Sequence, residues 1–387
     1  MADAAVTEPG GSSAANQELP RREPRIAFIP VSGMYGMGEY ARSLAIAQAV
    51  SRRWPGAAIH FVLSRAAPYA ADTPFPASLL PASPTFHSAQ VIEWLEKWRP
   101  DVVIFDNAGR GTQLRAAHRL GASVVYISAR RRQRRKAFRW RWMALIDEHW
   151  IAYPQFIAGP LGAMERLKLR LLGRPRVRYL DVILSRTDPA QRDAILARAG
   201  CGTQPFVLMV PGGGTGHPGA HDAAARFTAA ARALAAGGVA TVYVGPVGAM
   251  GAGQGAEADQ GAGADRNWHP LGPLPQAELA QLMRASRLIV ANGGSTLLQA
   301  IACGAACIAV PIAKDQIERT RRCAAAGVAV AASLDSASIV QVVNELWRNE
   351  PQRAALAGRA AQLGLADGVE VAIRALEGLL ASTLAGT

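Results

Sequence analysis

The sequence predicts an α/β fold made of two Rossmann-like domains that face one another. Three observations predict it. Short apolar runs typical of buried strands alternate with stretches of helical periodicity along the chain. A strand followed by a glycine-rich turn and a helix occurs near residue 26 and again near residue 206. The chain of 387 residues is also longer than one ordinary hydrophobic core requires.

Composition limits the classes of protein that fit. Half of the residues are hydrophobic and 18% are charged, as in globular proteins. No run of about 18 apolar residues predicts a transmembrane helix, and no basic-then-apolar leader predicts a signal peptide, so we expect a cytoplasmic protein. Cys201, Cys303, Cys307 and Cys323 lack the spacing of a metal site and are expected to be buried thiols. The net charge of +13 predicts an anionic partner.

The first domain is predicted over residues 25–184, after a polar tail, residues 1–24, that we expect to be disordered. An apolar run is followed by a turn that contains Gly33, Gly36 and Gly38, and a helix begins near Glu39. The glycine spacing is not a dinucleotide fingerprint, so a nicotinamide cofactor is not expected. Residues 66–88, rich in proline, alanine and serine, are predicted to form a long loop.

A second polar position follows the apolar run 102–105, which ends at Asp106 and Asn107. A carboxylate directly after a parallel strand points into the ligand crevice, which predicts a role in binding or catalysis. A turn-forming Asp-Asn pair that caps the next helix explains the same residues. The sequence leaves both interpretations open.

Residues 130–143 form the most basic segment of the chain. The cations that we single out are Arg130, Arg131, Arg132, Arg134, Arg135 and Lys136, followed by Trp140 and Trp142. Cations beside interfacial aromatics favour an anionic membrane surface or a lipid phosphate. A solvated charged helix or another anion would explain them too. Nucleic acid is not expected as a partner, because no known nucleic-acid-binding motif accompanies the segment.

The second domain is predicted over residues 204–387, with a helical tail from residue 336. Residues 185–203, a polar helical stretch, are predicted to be the linker between the domains. The first strand of this domain ends at Gly212, Gly213 and Gly214, a turn that suits close approach of a phosphate. His217 and His221, which follow it, are interpreted as surface histidines at the start of a helix.

The most informative stretch is residues 291–331. An apolar strand ends at Asn292-Gly293-Gly294, and a helix begins at Ser295 and Thr296. A second strand leads to Asp315-Gln316 and another helix. Because a helix that begins behind a glycine turn presents backbone N–H groups and a positive dipole end, this stretch predicts a binding site for a nucleotide diphosphate.

This stretch resembles the donor-binding motif of the MurG-type glycosyltransferases, family 28, and of the related nucleotide-sugar hydrolases of pseudaminic acid synthesis. About forty residues carry the resemblance, through Asn292 to Thr296, Gln299, Gly304, Val310-Pro311 and Asp315-Gln316. A weaker match covers Gly36 to Arg42. The resemblance implies the GT-B fold, with two facing Rossmann-like domains, and a nucleotide sugar, most often linked to UDP.

The resemblance also implies roles for particular residues. It assigns donor binding to Gly212, Gly213, Gly293, Gly294, Ser295, Thr296, Gln299, Asp315 and Gln316. It assigns Gly36, Gly38 and Arg42 to the acceptor side, with Glu39 and Asp106 as catalytic candidates. No metal and no cofactor are implied, since the helix N-terminus stabilises the leaving diphosphate.

Three positions depart from the family. Gln299 replaces a glutamate that binds both ribose hydroxyls, the asparagine that follows Asp-Gln is absent, and Glu39 replaces a histidine. A carboxylate can act as a general base, but an acidic residue also suits the first turn of any helix. Asp315 is either an acceptor for sugar hydroxyls or a helix N-cap.

We therefore expect an inverting glycosyltransferase that acts on a hydroxyl acceptor, lipid-linked or otherwise amphiphilic. We expect it to lie as a peripheral protein on the inner face of a membrane. A nucleotide-sugar hydrolase is the alternative enzyme. A subunit that binds a sugar nucleotide or recruits a partner to a membrane, without catalysis, is the alternative of another class.

Overall fold

The structure, a computed structural model, describes residues 23–34, 37–184, 189–212, 222–245 and 266–385. The glycines Gly36, Gly213 and Gly214 and the histidines His217 and His221 lie outside these ranges, as does most of the N-terminal tail. Among the described residues, no helix is long and apolar enough to cross a membrane.

The first domain contains a parallel sheet with strand order 3-2-1-4-5-6-7. Its strands are β1 (Arg25–Pro30), β2 (Ala58–Ser64), β3 (Ala77–Leu80), β4 (Val102–Asp106), β5 (Ser123–Ser128), β6 (Glu148–Ile151) and β7 (Arg176–Tyr179). The order reverses between β1 and β4, so the segments after these two strands border the crevice at the carboxyl edge of the sheet.

Helices connect these strands. They are α1 (Gly38–Arg53), α2 (Ser88–Trp98), α3 (Gly111–Arg119), α4 (Arg131–Ala137), α5 (Trp140–Met143), α6 (Gln155–Ala158) and α7 (Ala163–Leu172), with a 3-10 turn at Pro84–Phe86. The basic segment thus forms two short helices, α4 and α5, directly after β5.

The second domain repeats the arrangement, with strand order β10-β9-β8-β11-β12-β13. The strands are β8 (Val207–Val210), β9 (Thr241–Val244), β10 (Trp268–Leu271), β11 (Leu288–Asn292), β12 (Ala306–Val310) and β13 (Val330–Ala331). The helices are α8 (Pro189–Ala199), α9 (Ala223–Ala236), α10 (Gln276–Ala285), α11 (Ser295–Ala302), α12 (Lys314–Ala325), α13 (Ser336–Arg348), α14 (Glu350–Gln362) and α15 (Gly368–Ala385). Two facing domains with parallel sheets confirm the predicted fold class.

Each sheet is buried on both faces, which explains the continuous apolar runs of its strands. In β1, Ile26 and Phe28 belong to the core under α1, whereas Ala27 and Ile29 belong to the core under α2 and α3. In β8, Leu208 and Val210 pack on one face and Val207 and Met209 on the other. Successive side chains point to opposite faces of a strand, so one run of apolar residues supplies two cores.

The last helix, α15, returns to the first domain. Its buried residues join the core of the first sheet, namely Val369, Ala372, Ile373, Ala375, Leu376, Leu379 and Leu380. Arg53 of α1 contacts Glu377 at 2.8 Å at the edge of this interface. The sequence grouped residues 204–387 as one domain with a tail, but the tail ends on the other domain.

Two further elements differ from the sequence-based expectation. Within the predicted loop 66–88, residues Ala77–Leu80 form β3 and pair with β2, from Phe61↔Ala77 to Ser64↔Leu80. Within the predicted linker 185–203, α8 packs against α10, and Ile195, Ala199 and Cys201 are buried in the core of the second domain. The chain passes between the domains before α8.

Candidate functional site

A cavity of about 950 Å³ lies between the two domains. The first domain contributes Glu39, the end of β5 and the start of α4, together with the segment after β6. The second domain contributes the first turns of α12, through Asp315, Glu318, Arg319 and Arg322. Ligands of open α/β sheets bind at the carboxyl ends of strands, and these segments follow such ends.

Arg42 of α1 and Asp106 at the end of β4 form a buried ion pair. The Arg42 Nε and Nη2 atoms donate to the two carboxylate oxygens at 2.8 and 2.6 Å, and Ser43 Oγ donates at 3.4 Å. Burial raises the pKa of Asp106 to about 6, although Arg42 acts in the opposite direction. Burial also opposes the charge of Arg42, but Asp106 outweighs it and raises the pKa of the guanidinium.

This pairing corrects the role expected for Asp106. Its side chain is fully buried, and both oxygens accept hydrogen bonds from the same domain. In this arrangement neither Asp106 nor Arg42, which is also buried, lines the cavity. The pair instead fixes α1 to the end of β4, and thereby the position of Glu39.

Glu39 is held by Asn107. The Asn107 Nδ2 atom donates to Glu39 Oε1 at 2.8 Å, and Asn107 Oδ1 accepts from the backbone N–H of Ala129 at 2.8 Å. Because a backbone N–H can only donate, the amide oxygen must face Ala129 and the NH₂ group must face Glu39. Asn107 has a φ of 52°, a left-handed conformation that asparagine tolerates better than most residues. Glu39 itself lines the cavity.

Gly38 begins α1 next to Glu39, and a Cβ atom added there would meet nothing within 4 Å. Gly36 lies outside the described residues. Packing within the described part of the domain therefore leaves room for a side chain at Gly38.

The second glycine turn is organised by Asn292. Its Oδ1 accepts from the Gly294 N–H at 2.7 Å, and its Nδ2 donates to the Pro211 oxygen at 2.8 Å, so Asn292 joins the turns after β8 and β11. A Cβ atom on Gly212, which has a φ of 118°, would lie 2.1 Å from the Asn292 amide. Gly293 has no room for a Cβ either, because Thr320 Oγ1 would lie at 2.5 Å. These glycines are required by packing alone.

Helix α11 begins directly behind this turn. Gly294 is its N-cap and, having no side chain, caps none of the N–H groups of the first turn. Ser295 is exposed and Thr296 half-buried at this end. The first turn of an α-helix has N–H groups without partners within the helix, so this end of α11 is suited to an anion.

Gln299 has a structural contact that the sequence did not predict. Its Nε2 donates to the backbone oxygen of Ile183 at 3.0 Å, and Gln276 Nε2 donates to the same oxygen at 3.2 Å. Ile183 lies where the chain leaves the first domain. A glutamate at 299 would place a carboxylate oxygen against the backbone oxygen of Ile183, and neither atom can donate a hydrogen bond. This contact explains why an amide replaces the expected carboxylate.

The residues at the start of α12 have distinct positions. The N-cap is Ala313, so Asp315 is not the cap; its side chain is 67% exposed and lines the cavity. Gln316 Oε1 accepts from the Ile312 N–H at 2.9 Å. Asp315 is thus not the helix N-cap, and its role as an acceptor for sugar hydroxyls stays a prediction.

Arg319, one turn further along α12, was not predicted as a site residue. Its side chain is buried, its Nη1 donates to the Gly293 oxygen at 2.7 Å, and its guanidinium lies 4.6 Å from the ring centroid of Tyr153 in the other domain. Its Nη2 is 3.6 Å from Asp315. The signal available in the sequence was the i, i+4 spacing from Asp315.

Ser128, which ends β5 and lines the cavity, was not predicted as a site residue either. Its Oγ lies 2.8 Å from Nε2 of the buried His149. Burial, with a smaller contribution from Arg134, lowers the pKa of His149 to about 3, so the imidazole is neutral.

The basic segment 130–143 divides into residues that hold the fold together and residues that face outward. Arg134 is buried, pairs with Glu165 at 2.6 Å and donates to the backbone oxygens of residues 158–160. Lys136 Nζ donates to the Gly109 oxygen and lies over Trp142, itself buried against Tyr126. Burial, with nearby arginines, lowers the pKa of Lys136 to about 8.

Three expected membrane residues, Arg134, Lys136 and Trp142, are therefore engaged inside the domain. Trp140 is 48% exposed, and Arg132 is exposed as well. Arg130, Arg131 and Arg135 are exposed residues that line the cavity. The segment thus borders the cleft on one side and solvent on the other.

Comparison with known proteins shows the fold. No family model and no curated protein matches the sequence. Among solved structures, MurG of Acinetobacter baumannii is 16% identical with a TM-score of 0.59, over 92% of this chain and 99% of that chain. UGT89C1 of Arabidopsis thaliana, complexed with UDP, is 14% identical with a TM-score of 0.63, over 94% and 100%.

A third neighbour is the spinosyn rhamnosyltransferase SpnG, complexed with thymidine diphosphate. It is 15% identical with a TM-score of 0.57, over 91% of this chain and 100% of that chain. At such identities the likeness shows the GT-B architecture, extended over nearly the whole chain. None of these three neighbours is described as a hydrolase, so the expected similarity to nucleotide-sugar hydrolases gains no support from them.

Proposed function

We propose that the protein is an inverting, metal-independent glycosyltransferase that moves a sugar from a nucleotide diphosphate sugar, UDP-linked, to a hydroxyl group of an acceptor. One observation carries the proposal. A single cavity between the domains has Glu39, oriented by Asn107, on one wall and Asp315 at the start of α12 on the other. Both walls follow the carboxyl ends of parallel strands, where α/β proteins bind substrates.

The second domain would bind the donor. Its diphosphate would accept hydrogen bonds from the first turn of α11, with the positive end of the helix dipole and Arg319 nearby. Asp315, exposed to the cavity, would accept hydrogen bonds from sugar hydroxyls. Since one amide hydrogen of Gln299 is bonded to Ile183, its oxygen is the group that could accept from the ribose.

Glu39 would act as the general base. The proton of the acceptor hydroxyl moves to a carboxylate oxygen of Glu39 while the acceptor oxygen forms a bond to the anomeric carbon. The bond from that carbon to the phosphate oxygen breaks on the opposite face, which inverts the configuration. The leaving diphosphate keeps the electron pair and is stabilised by the fixed N–H dipoles of α11. Asn107 holds Glu39 in place through one oxygen.

The test is the release of UDP from a panel of UDP-sugars, with and without acceptor hydroxyl compounds. We expect Glu39→Gln to lower turnover by about 10²–10⁴-fold, the usual contribution of a general base, and to leave UDP affinity unchanged. Glu96→Gln is a matched control, because Glu96 is exposed on α2 and does not line the cavity.

Three outcomes would contradict the transferase. UDP released at full rate without an acceptor would make the protein a hydrolase. A UDP-sugar that binds without turnover, unaffected by Glu39→Gln, would make it a binding subunit. Failure of the protein to bind any nucleotide sugar would contradict the proposed donor site.

We also propose that the first domain contacts an anionic membrane, so that an amphiphilic or lipid-linked acceptor can reach the cavity. Helix α7 has no buried residue and exposes Met164, Leu167 and Leu171, at 62%, 49% and 67%. This spacing forms one apolar stripe on a helix. Lys168 of α7 lies 5.5 Å from the ring of Trp140, which joins the stripe to the exposed aromatic of the basic segment. Apolar residues among cations suit an anionic lipid surface.

Sedimentation with phosphatidylglycerol vesicles tests this contact. We expect Leu167→Ser with Leu171→Ser to reduce retention at least tenfold, since burying each leucine contributes about 1.5–3 kcal/mol. Phe86→Ser is the control, because Phe86 is 73% exposed on the 3-10 turn before α2. Equal retention of the stripe variant and the wild type would rule out α7 as the contact.

A further inference from the structure

Three arginines on the first-domain wall of the cavity lack acidic partners. Arg130, Arg131 and Arg135 are exposed and line the cavity, and no ion pair involves them within the described ranges. Their neighbour Arg134 differs, because its guanidinium donates to Glu165 at 3.0 and 2.6 Å and to three backbone oxygens. Arg134 therefore anchors α4, and the three arginines around it remain available.

The charges on the two walls of the cavity differ. On the second-domain wall, two arginines stand beside two acids: Arg322 contacts Glu318 at 2.8 Å, and Arg319 lies 3.6 Å from Asp315. On the first-domain wall, four arginines face two acids, and Arg134 occupies one of these, Glu165. The uncompensated positive charge thus lies on the wall that also holds Glu39.

We propose that Arg130, Arg131 and Arg135 form a binding site for an anionic group, a phosphate or a carboxylate, carried by the acceptor. The inference rests on the proposed function, which assigns this wall to the acceptor and the opposite wall to the donor. Guanidinium groups present planar pairs of N–H donors that match the oxygens of phosphates and carboxylates. Three like charges kept close together repel one another, and an anion between them removes that repulsion.

The nucleotide diphosphate does not account for these arginines. It is assigned to the N-terminus of α11 in the second domain, where Arg319 and the glycine turn lie. A general membrane attraction does not account for them either. Arg132, Arg139 and Arg141 belong to the same segment and are exposed, yet they do not line the cavity. The segment therefore contains two sets of three arginines that differ in where they lie.

Replacing either set removes three positive charges, so the two sets provide a variant and a matched control. The cavity variant carries Arg130→Gln, Arg131→Gln and Arg135→Gln, and the control variant carries Arg132→Gln, Arg139→Gln and Arg141→Gln. The full chain is first titrated with UDP, which tests the donor site by itself. Inorganic pyrophosphate is then titrated by calorimetry in the presence of saturating UDP, so that the donor site is not available to it.

We expect the wild type to bind pyrophosphate, the cavity variant to bind at least tenfold more weakly, and the control variant to stay within twofold of the wild type. Equal weakening in both variants would overturn the proposal, because it would reflect charge alone. Absence of pyrophosphate binding to the wild type would overturn it too. If UDP does not bind, the proposed function fails, while the pyrophosphate titration without UDP still tests the arginines.

A second arm identifies the source of the anion. Both variants are sedimented with phosphatidylglycerol vesicles. A cavity variant that loses both pyrophosphate binding and vesicle retention supports an anion borne by a lipid headgroup. One that loses only pyrophosphate binding supports a soluble anionic acceptor. Should the cavity variant unfold at a lower temperature than the wild type, the corresponding Arg→Lys variant is tested instead. Lysine keeps the charge but lacks the planar pairs of N–H donors, so this variant is expected to bind pyrophosphate with intermediate affinity.

Discussion

Gln276 and Gln299 donate hydrogen bonds to a single backbone oxygen, that of Ile183, where the chain leaves the first domain. Helix α11 is thereby connected to the segment that joins the two domains. Gln299, which the family resemblance assigned to the ribose, thus contacts the segment that sets the position of one domain relative to the other.

We expect Gln299→Glu to destabilise the protein by about 1–3 kcal/mol, because a carboxylate oxygen would face the Ile183 oxygen and leave it without that donor. Thermal and denaturant unfolding measure this loss. Gln48→Glu, the same change at an exposed position of α1, is the control and is expected to stay within about 0.5 kcal/mol. A Gln299→Glu protein as stable as the wild type would show that the hydrogen bond to Ile183 does not contribute.

The sequence could identify Glu39, Arg42 and Asp106 as polar residues near one crevice, because each follows a strand or a glycine turn. It could not predict that Arg42 and Asp106 bind each other, since they are 64 residues apart in the chain. Their contact depends on the pairing of β1 with β4, which brings Pro30 opposite Asp106. The same pairing decides that Asp106 is buried whereas Glu39 faces the cavity.

At the scale of elements, apolar runs predicted most strands because both faces of each sheet are buried. Strand β3 was missed, since Ala77–Leu80 lies in a stretch whose prolines and serines are typical of a loop. The segment is a strand because it pairs with β2, and its local composition does not indicate that pairing. Helix α15 was predicted as a helix, but its apolar face does not reveal which of two similar domains it covers.

We expect Leu376→Ala in α15 to destabilise the first domain by about 2–5 kcal/mol, the usual loss for a buried leucine, because Leu376 is fully buried in the core of the first sheet. Hydrogen exchange is the decisive measurement, since faster exchange should appear in β1 and β2 and not in β8 and β11. Arg374→Ala, on the exposed side of the same helix, should change neither domain. Faster exchange confined to β8 and β11 would assign α15 to the second domain.

At the scale of the whole molecule, the repetition of strand, glycine turn and helix was enough to predict two facing domains. It could not predict the composition of the cavity walls, because Arg130 and Glu39 are distant in sequence and meet only in the folded first domain. Arg319 joins them only through the arrangement of the two domains. The domains also contact each other directly. Arg322 Nη1 donates to the Ile157 oxygen at 2.6 Å, and Arg319 lies over Tyr153.

We expect the contact between Arg322 and Ile157 to restrict how far the cavity opens. In the protein without ligand, Arg322→Gln should broaden the distribution of distances between spin labels on α2 and α13. Pulsed electron paramagnetic resonance measures this distribution. Arg321→Gln is a closely matched control: Arg321 contacts the same Glu318, at 2.7 Å, but no bond from it to the first domain is found among the described residues. A UDP-sugar should narrow the distribution in the wild type, because domain closure excludes water from the reacting groups. If Arg322→Gln and Arg321→Gln give the same distribution as the wild type, the orientation of the domains depends on the interdomain connection and α15 alone.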